Sequence, residues 1–134
     1  MWYEGIVAPS AWETVAIALV FTHVTIAGVT IYLHRYSAHR ALELHSAVKF
    51  FFRTWMWMST GMLTKAWTAV HRKHHARVET EEDPHSPQVK GIKLVMSRGA
   101  ELYRSAACDP ETLAKYGKGT PDDWFEHNLF CHDR

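Results

Sequence analysis

From Thr14 to Leu33 the chain runs for 20 residues without a charge, and most of them are apolar. At about 1.5 Å of helical rise per residue, the run measures roughly 30 Å, the thickness of a bilayer's hydrocarbon core. A segment of this kind folds either as a transmembrane helix or as the buried core helix of a compact domain. Length and lack of charge favour the membrane. It is not a secretory signal, because no basic region precedes it and no small-residue cleavage site follows it. The one charge at its start is Glu13.

The charge distribution orients the span. All 15 Lys and Arg lie after residue 34, beginning with Arg35, Arg40, Lys49 and Arg53, while the N-terminal flank carries only Glu4 and Glu13. The excess of basic residues on one side places the N-terminus outside and the rest at the cytoplasmic face. A net charge of +1 gives no pull toward nucleic acid. Two cysteines, Cys108 and Cys131, are too few for a disulfide framework and read as reduced thiols.

The expected fold is all-α, a membrane protein with cytosolic helices that carry clustered histidines. The transmembrane helix covers about 12–33, and "HRYSAHRALELH" continues it as a polar extension. Residues 46–70 are apolar but carry Lys49, Arg53 and Lys65, with Trp55, Trp57 and Trp67 suited to a water–lipid boundary. They read as an interfacial amphipathic helix, with a second span as the rival. A cytosolic region, 71–134, follows: a loop at "VETEEDPHSPQ", an amphipathic helix over 91–107, and turn or helix-start signals at "DPET" and "GKGTPDDW".

Chemistry concentrates in "HRKHHARVETEEDPHSP", residues 71–87. On a helix His71, His74 and His75 share a face at i, i+3 and i+4, while His74 and His75 point about 100° apart. One helix thus aims imidazoles at two neighbouring points, which suits a pair of metal ions. His34 and His39 are spaced i, i+5. On an ideal α-helix that pair diverges by about 140°, so its convergence needs approach from different sides or a local bulge. Imidazole suits Zn, Cu, Fe and Ni. There is no H-E-x-x-H and no C-x-x-C, and five histidines without a ligating cysteine at a membrane surface favour iron.

"HRYSAH" followed by "HRKHH…DPH" resembles the membrane-bound fatty acid desaturases, closest to their acyl-CoA Δ9 branch, over roughly residues 12–90. The resemblance implies a non-haem di-iron centre on His34, His39, His71, His74 and His75. It further implies O2 and an electron donor of the cytochrome b5 or ferredoxin type, a fatty acyl-CoA or acyl-lipid substrate taken from the membrane, and insertion of a cis double bond. Glu79, Glu82 and Asp83 are candidate partners for the ring N–H groups. His85 follows the D-P-H pattern and is not taken as a ligand. His23 is expected to make a structural hydrogen bond inside the span, and His45, His127 and His132 to lie at the surface. The Trp- and Met-rich stretch 55–63 reads first as packing and second as a lining for the acyl chain.

The resemblance also implies a further H-x-x-H-H box, one more ligand histidine and more membrane helices downstream. After His85 only His127 and His132 remain. The chain is therefore expected to be a partial desaturase domain, inactive alone. The rival readings are a membrane di-iron hydroxylase or ketolase, a non-catalytic truncated paralogue acting as a membrane binding module, and a metal-buffering or transport protein.

Overall fold

The computed structural model describes residues 8–130, so Glu4, Cys131 and His132 lie outside the described residues. Among the described residues every regular element is helical. The first helix, α1, spans Ala11–Ala27 and continues without a break as a π-helix, Gly28–Ala38. Its start explains the lone charge. Ser10 is the N-cap, its hydroxyl accepts from the Glu13 N–H, and the Glu13 carboxylate accepts from the Ser10 N–H at 2.7 Å. This reciprocal cap satisfies two orphan donors and sets a negative charge at the positive end of the helix dipole.

Ala11–Ala38 is long and apolar enough to cross a membrane, and only 6% of its most apolar window is buried. Trp12, Val15, Ile17, Leu19, Val20 and Phe21 are all exposed, the opposite of what a soluble core helix shows. In its most apolar stretch, polar side chains turn back on the helix's own backbone, as hydrocarbon demands. The Thr22, His23 and Thr25 side chains bond to the carbonyls of Ala18, Leu19 and Phe21 at 2.7–2.8 Å. His23 thus makes the local structural bond expected of it.

The polar extension does not stay helical. The π-helix stops at Ala38, and Arg40 takes the left-handed region at φ 52°. The carbonyls of Ser37 and Ala38 bond to the Arg72 guanidinium, where a longer helix would have used its own N–H groups. The apolar stretch 46–70 is likewise two helices, α2 (Ser46–Thr60) and the start of α3 (Thr64–Ala76). Gly61 separates them at φ 67°, a left-handed cap whose N–H returns to the Trp57 carbonyl at 2.9 Å. A glycine takes that conformation without strain, so the break is local in origin.

α2 folds back against the first helix. Lys49 sits over the Tyr36 ring, Met56 presses on Gly28, and the Trp55 indole donates to the Thr25 hydroxyl at 2.9 Å. A Cβ at Gly28 would come within 2.7 Å of the Met56 sulfur, so the two helices approach closely there because that position has no side chain. Tyr32, Leu33 and Met56 form the inner core, packed by Trp55, Met62 and Trp67 among others. Most of the Trp- and Met-rich stretch is thus packing, while Met58 stays exposed.

The remaining helices are α4 (Pro87–Lys90), α5 (Ile92–Ala107) and α6 (Pro110–Tyr116), followed by a short π-helical segment, Glu126–Phe130. α5 occupies almost the whole of 91–107, as its periodicity predicts, and Asp109 caps α6 where "DPET" announces a start. Ala66 and Val70 of α3 pack against Ala107 of α5 in a second small core.

Buried Arg53 ties α2 to the C-terminal segment through both oxygens of Asp123 (2.7 and 2.8 Å) and through Glu126 (2.6 Å). The Arg53 hydrogen bonds hold the Asp123 carboxyl down at about 2. A depressed folded-state pKa contributes stability above the ordinary aspartate value of ~3.9, and that stability is lost as pH falls toward the folded value. Asp123 is half exposed, at 51%, so the contribution is screened. Thermal unfolding followed by circular dichroism is expected to show Asp123→Asn melting below the wild type at neutral pH, with the two curves converging near pH 2. A gap that persists unchanged in acid would contradict this role.

Candidate metal centre

Two helices, brought together by buried hydroxyls, build the centre. On α3, His71 and His75 are one turn apart with their Nε2 atoms 3.1 Å from each other. Trp67, a further turn back, stacks on the His71 ring at 4.6 Å and 15°, holding its plane. On the first helix the i, i+5 pair converges because that stretch is π-helical. The His39 N–H bonds to the His34 carbonyl at 3.0 Å, and the two rings lie 4.5 Å apart. The π-turn closes at i+5, so it stacks residues that an α-helix would set about 140° apart.

Alignment of the two helices comes from contacts that share nearly one offset in sequence. The Tyr32 hydroxyl meets the Thr64 hydroxyl at 3.0 Å, and Ser37 meets Thr68 at 2.7 Å. Both pairs are buried, and an unmatched hydroxyl there costs about 1–3 kcal/mol. The next step along the same alignment sets His39 Nε2 3.2 Å from His71 Nε2. The result is a four-histidine group, His34, His39, His71 and His75, whose ligating atoms fall within 4.8 Å of one another. His34 and His71 are half-buried, while His39 and His75 lie at the open side.

Four imidazoles this close cannot all carry charge. Burial, then His75, His34 and His39, push His71 down to about 4. Burial, then His34 and His75, lower His39 as well. At neutral pH the His71 and His39 rings therefore present lone pairs, the state in which imidazole binds metal. Separations of 3.1 and 3.2 Å between ring nitrogens suit two ligand atoms sharing one ion at bond lengths of about 2.0–2.1 Å. The donor set therefore fits a transition-metal ion of the class imidazole prefers.

His74 faces elsewhere, as its position on the helix predicts. It belongs to a second group with Asp83 and His85. Its Nδ1 lies 2.9 Å from one oxygen of Asp83, which is only 1% exposed. Asp83 also accepts from the N–H groups of Glu79 and His85 at 3.0 and 3.1 Å. Burial raises the Asp83 carboxyl, but these hydrogen bonds outweigh it and leave it below the usual range. With Nδ1–H given to Asp83, the lone pair of His74 sits on Nε2.

Among the described residues, Asp83 alone of the three acids proposed as partners meets a histidine ring. The Glu79 side chain is exposed, and Glu82 pairs with Arg77 at 3.2 Å. His85 stacks on His74 at 4.5 Å. Its signal in the sequence is its place two residues after a carboxylate that the turn buries. Arg72 and the pairing hydroxyls of Ser37 and Thr68 escaped sequence reasoning, since nothing local marks them. His45 caps α2 by accepting from the Ala47 N–H, and His127 pairs with Asp122 at 2.8 Å on the surface.

Comparison with known proteins agrees with the resemblance. The sequence model of the fatty acid desaturase family matches residues 10–127. Delta-9 acyl-lipid desaturase 1 of Arabidopsis thaliana is 30% identical over 76 residues, 57% of this chain and 25% of that protein. Hex-5-enoyl-[acyl-carrier protein] acetylenase of Moorena producens is 37% identical over 60 residues, 45% of the chain and 19% of that protein. Acyl-CoA Delta(11) desaturase of Choristoneura rosaceana is 29% identical over 75 residues, 56% and 22% respectively. The matched stretch spans about a quarter or less of these relatives' length. No solved structure matches the chain.

Proposed function

The chain belongs to the fatty acid desaturase family, and from that membership we propose that it supplies the first part of an O2-dependent acyl desaturase centre. The observation that carries the reading is the convergence of His34, His39, His71 and His75 from two separate helices, with His74 directed to an adjacent point. His34, His39, His71, His74 and His75 would hold a non-haem di-iron pair at the cytoplasmic membrane face. When bound, such a centre supplies the oxidising power to remove two hydrogens from an unactivated acyl chain, which side chains alone do not possess.

The chain's own residues have defined tasks in this reading. Asp83 fixes the His74 ring so that Nε2 points outward. Trp67 holds the plane of His71. The apolar first helix seats these groups beside the lipid that carries the acyl substrate, with the N-terminus on the outer side. Electrons would come from a cytochrome b5-type or ferredoxin-type donor. The proposed product is a cis alkene, with Δ9 the favoured position, supported by the Delta-9 relative.

The test is a chimaera in which residues 10–127 replace the matching stretch of a full-length Δ9 desaturase, expressed in cells and analysed by gas chromatography of total fatty acids. A new cis-Δ9 monoene is the expected result. Accumulation of a hydroxy fatty acid would move the assignment to the hydroxylase chemistry. An iron-free chimaera without either product would favour a non-catalytic binding module.

A further inference from the structure

Arg72 stands inside the H-R-K-H-H box, yet its guanidinium donates to backbone carbonyls. Its Nη2 donates to the Ser37 carbonyl at 2.8 Å and its Nε to the Ala38 carbonyl at 3.1 Å. Its Nη1 donates to the carbonyls of Tyr116 and Lys118 at 3.0 and 2.8 Å. Four backbone oxygens from two separate chain segments thus converge on one side chain. Those of Ser37 and Ala38 end the π-helix, where carbonyls lack intrahelical donors and the helix dipole is negative.

α3 carries two parallel rows of residues at every fourth position. Trp67, His71 and His75 form one row, which stacks and presents imidazoles. Thr64, Thr68 and Arg72 form the other, about 100° round the helix. Each member of this second row holds the first helix: Thr64 takes Tyr32, Thr68 takes the Ser37 hydroxyl, and Arg72 takes the carbonyls of Ser37 and Ala38. The last of these carbonyls belongs to the residue immediately before His39. Arg72 in turn is bonded directly to His71 in sequence. The distance from His39 to His71 is therefore set one residue away on both sides.

We propose that Arg72, assisted by Thr68, is a positioning residue that places His39 against His71 and His75 in the four-histidine cluster. Arginine suits the task because its planar fork carries five N–H donors in fixed directions. A lysine has three donors on one atom and cannot span carbonyls so disposed. The inference rests on reading that cluster as a metal site, and the experiment separates the two.

Co2+ is titrated into the detergent-purified chain, with visible absorption reporting affinity and ligand geometry and circular dichroism reporting the fold. Arg72→Lys is expected to keep the helical spectrum, weaken Co2+ about tenfold or more, as loss of an orienting partner does, and shift the absorption bands. Thr68→Val, nearly isosteric, is expected to do the same to a smaller degree, and it carries the test if Arg72→Lys does not fold. Arg53→Lys is the control, since Arg53 makes three hydrogen bonds of its own but serves the C-terminal segment. It is expected to lower the melting temperature with Co2+ affinity unchanged. Wild-type affinity in both Arg72→Lys and Thr68→Val overturns the positioning role, as does a loss that follows melting temperature in all three variants. A wild-type chain that binds no Co2+ overturns the metal reading together with this inference.

Discussion

On the proposed metal assignment, replacing His71 with alanine is expected to strip nearly all iron from the chain while leaving its helices intact. His71 is the hub of the cluster, with its Nε2 3.2 Å from that of His39 and 3.1 Å from that of His75. Its ring centroid is also 4.8 Å from that of His34. Loss of an outer-shell partner alone costs about 10–100-fold in metal affinity, so loss of the proposed central ligand is expected to exceed about a hundredfold. The fold has less at stake, because the ring is only half-buried and α3 remains held by Thr64, Thr68 and Arg72. Iron measured by elemental analysis, beside His45→Ala and His127→Ala as surface controls, gives the comparison. Equal iron in His71→Ala and the two controls would remove the cluster from consideration as the metal site.

Asp83→Ala is expected to be the most damaging change to stability and to injure metal binding as well. The wild-type carboxylate is fully enclosed and takes three donors: the His74 ring, the Glu79 N–H and the His85 N–H. Hydrogen bonds to a charged acceptor contribute about 1.5–3 kcal/mol each, partly recovered by water when the partner is removed. A net loss of about 3 kcal/mol follows, which for a chain of this size lowers the melting temperature by roughly 10 °C. Glu79 stands at φ 57°, a left-handed conformation that the Asp83 bond to its N–H helps hold. Metal affinity should fall with it, because His74 loses the bond that fixes its tautomer. Asp83→Asn keeps the shape but sets its amide donor against donors, so it is expected to lie between the two. Differential scanning fluorimetry paired with Co2+ titration measures both effects. An Asp83→Ala chain that melts with the wild type would show that the turn does not depend on this carboxylate.

The parts of this protein legible in the sequence are those that depend on neighbouring residues. Twenty uncharged residues mark the helix that is long and apolar enough to cross a membrane, since backbone rise and bilayer thickness are nearly constant. The spacing of His71, His74 and His75 states that one helix addresses two points, and the structure divides them that way. Asp109 and Pro110 start α6, and "VETEEDPHSPQ" ends α3. In each case local geometry decides the outcome.

Other features needed the third dimension. The polar run after His34 reads as more helix, and it ends at Ala38 because an arginine 34 residues later takes the carbonyls. His34 and His39 read as a divergent pair, and the π-helix makes them neighbours. Glu79, Glu82 and Asp83 read as equivalent acids, and the turn encloses only Asp83. The helices, the apolar span and the stock of imidazoles follow from the residues in chain order, because periodicity and chemistry are properties of residues close along the chain. Which imidazoles meet, and which side chains hold them there, are choices made where distant helices pack. Those choices depend on buried hydroxyl pairs and one guanidinium acting across more than 30 residues, where burial makes an unmatched polar group costly.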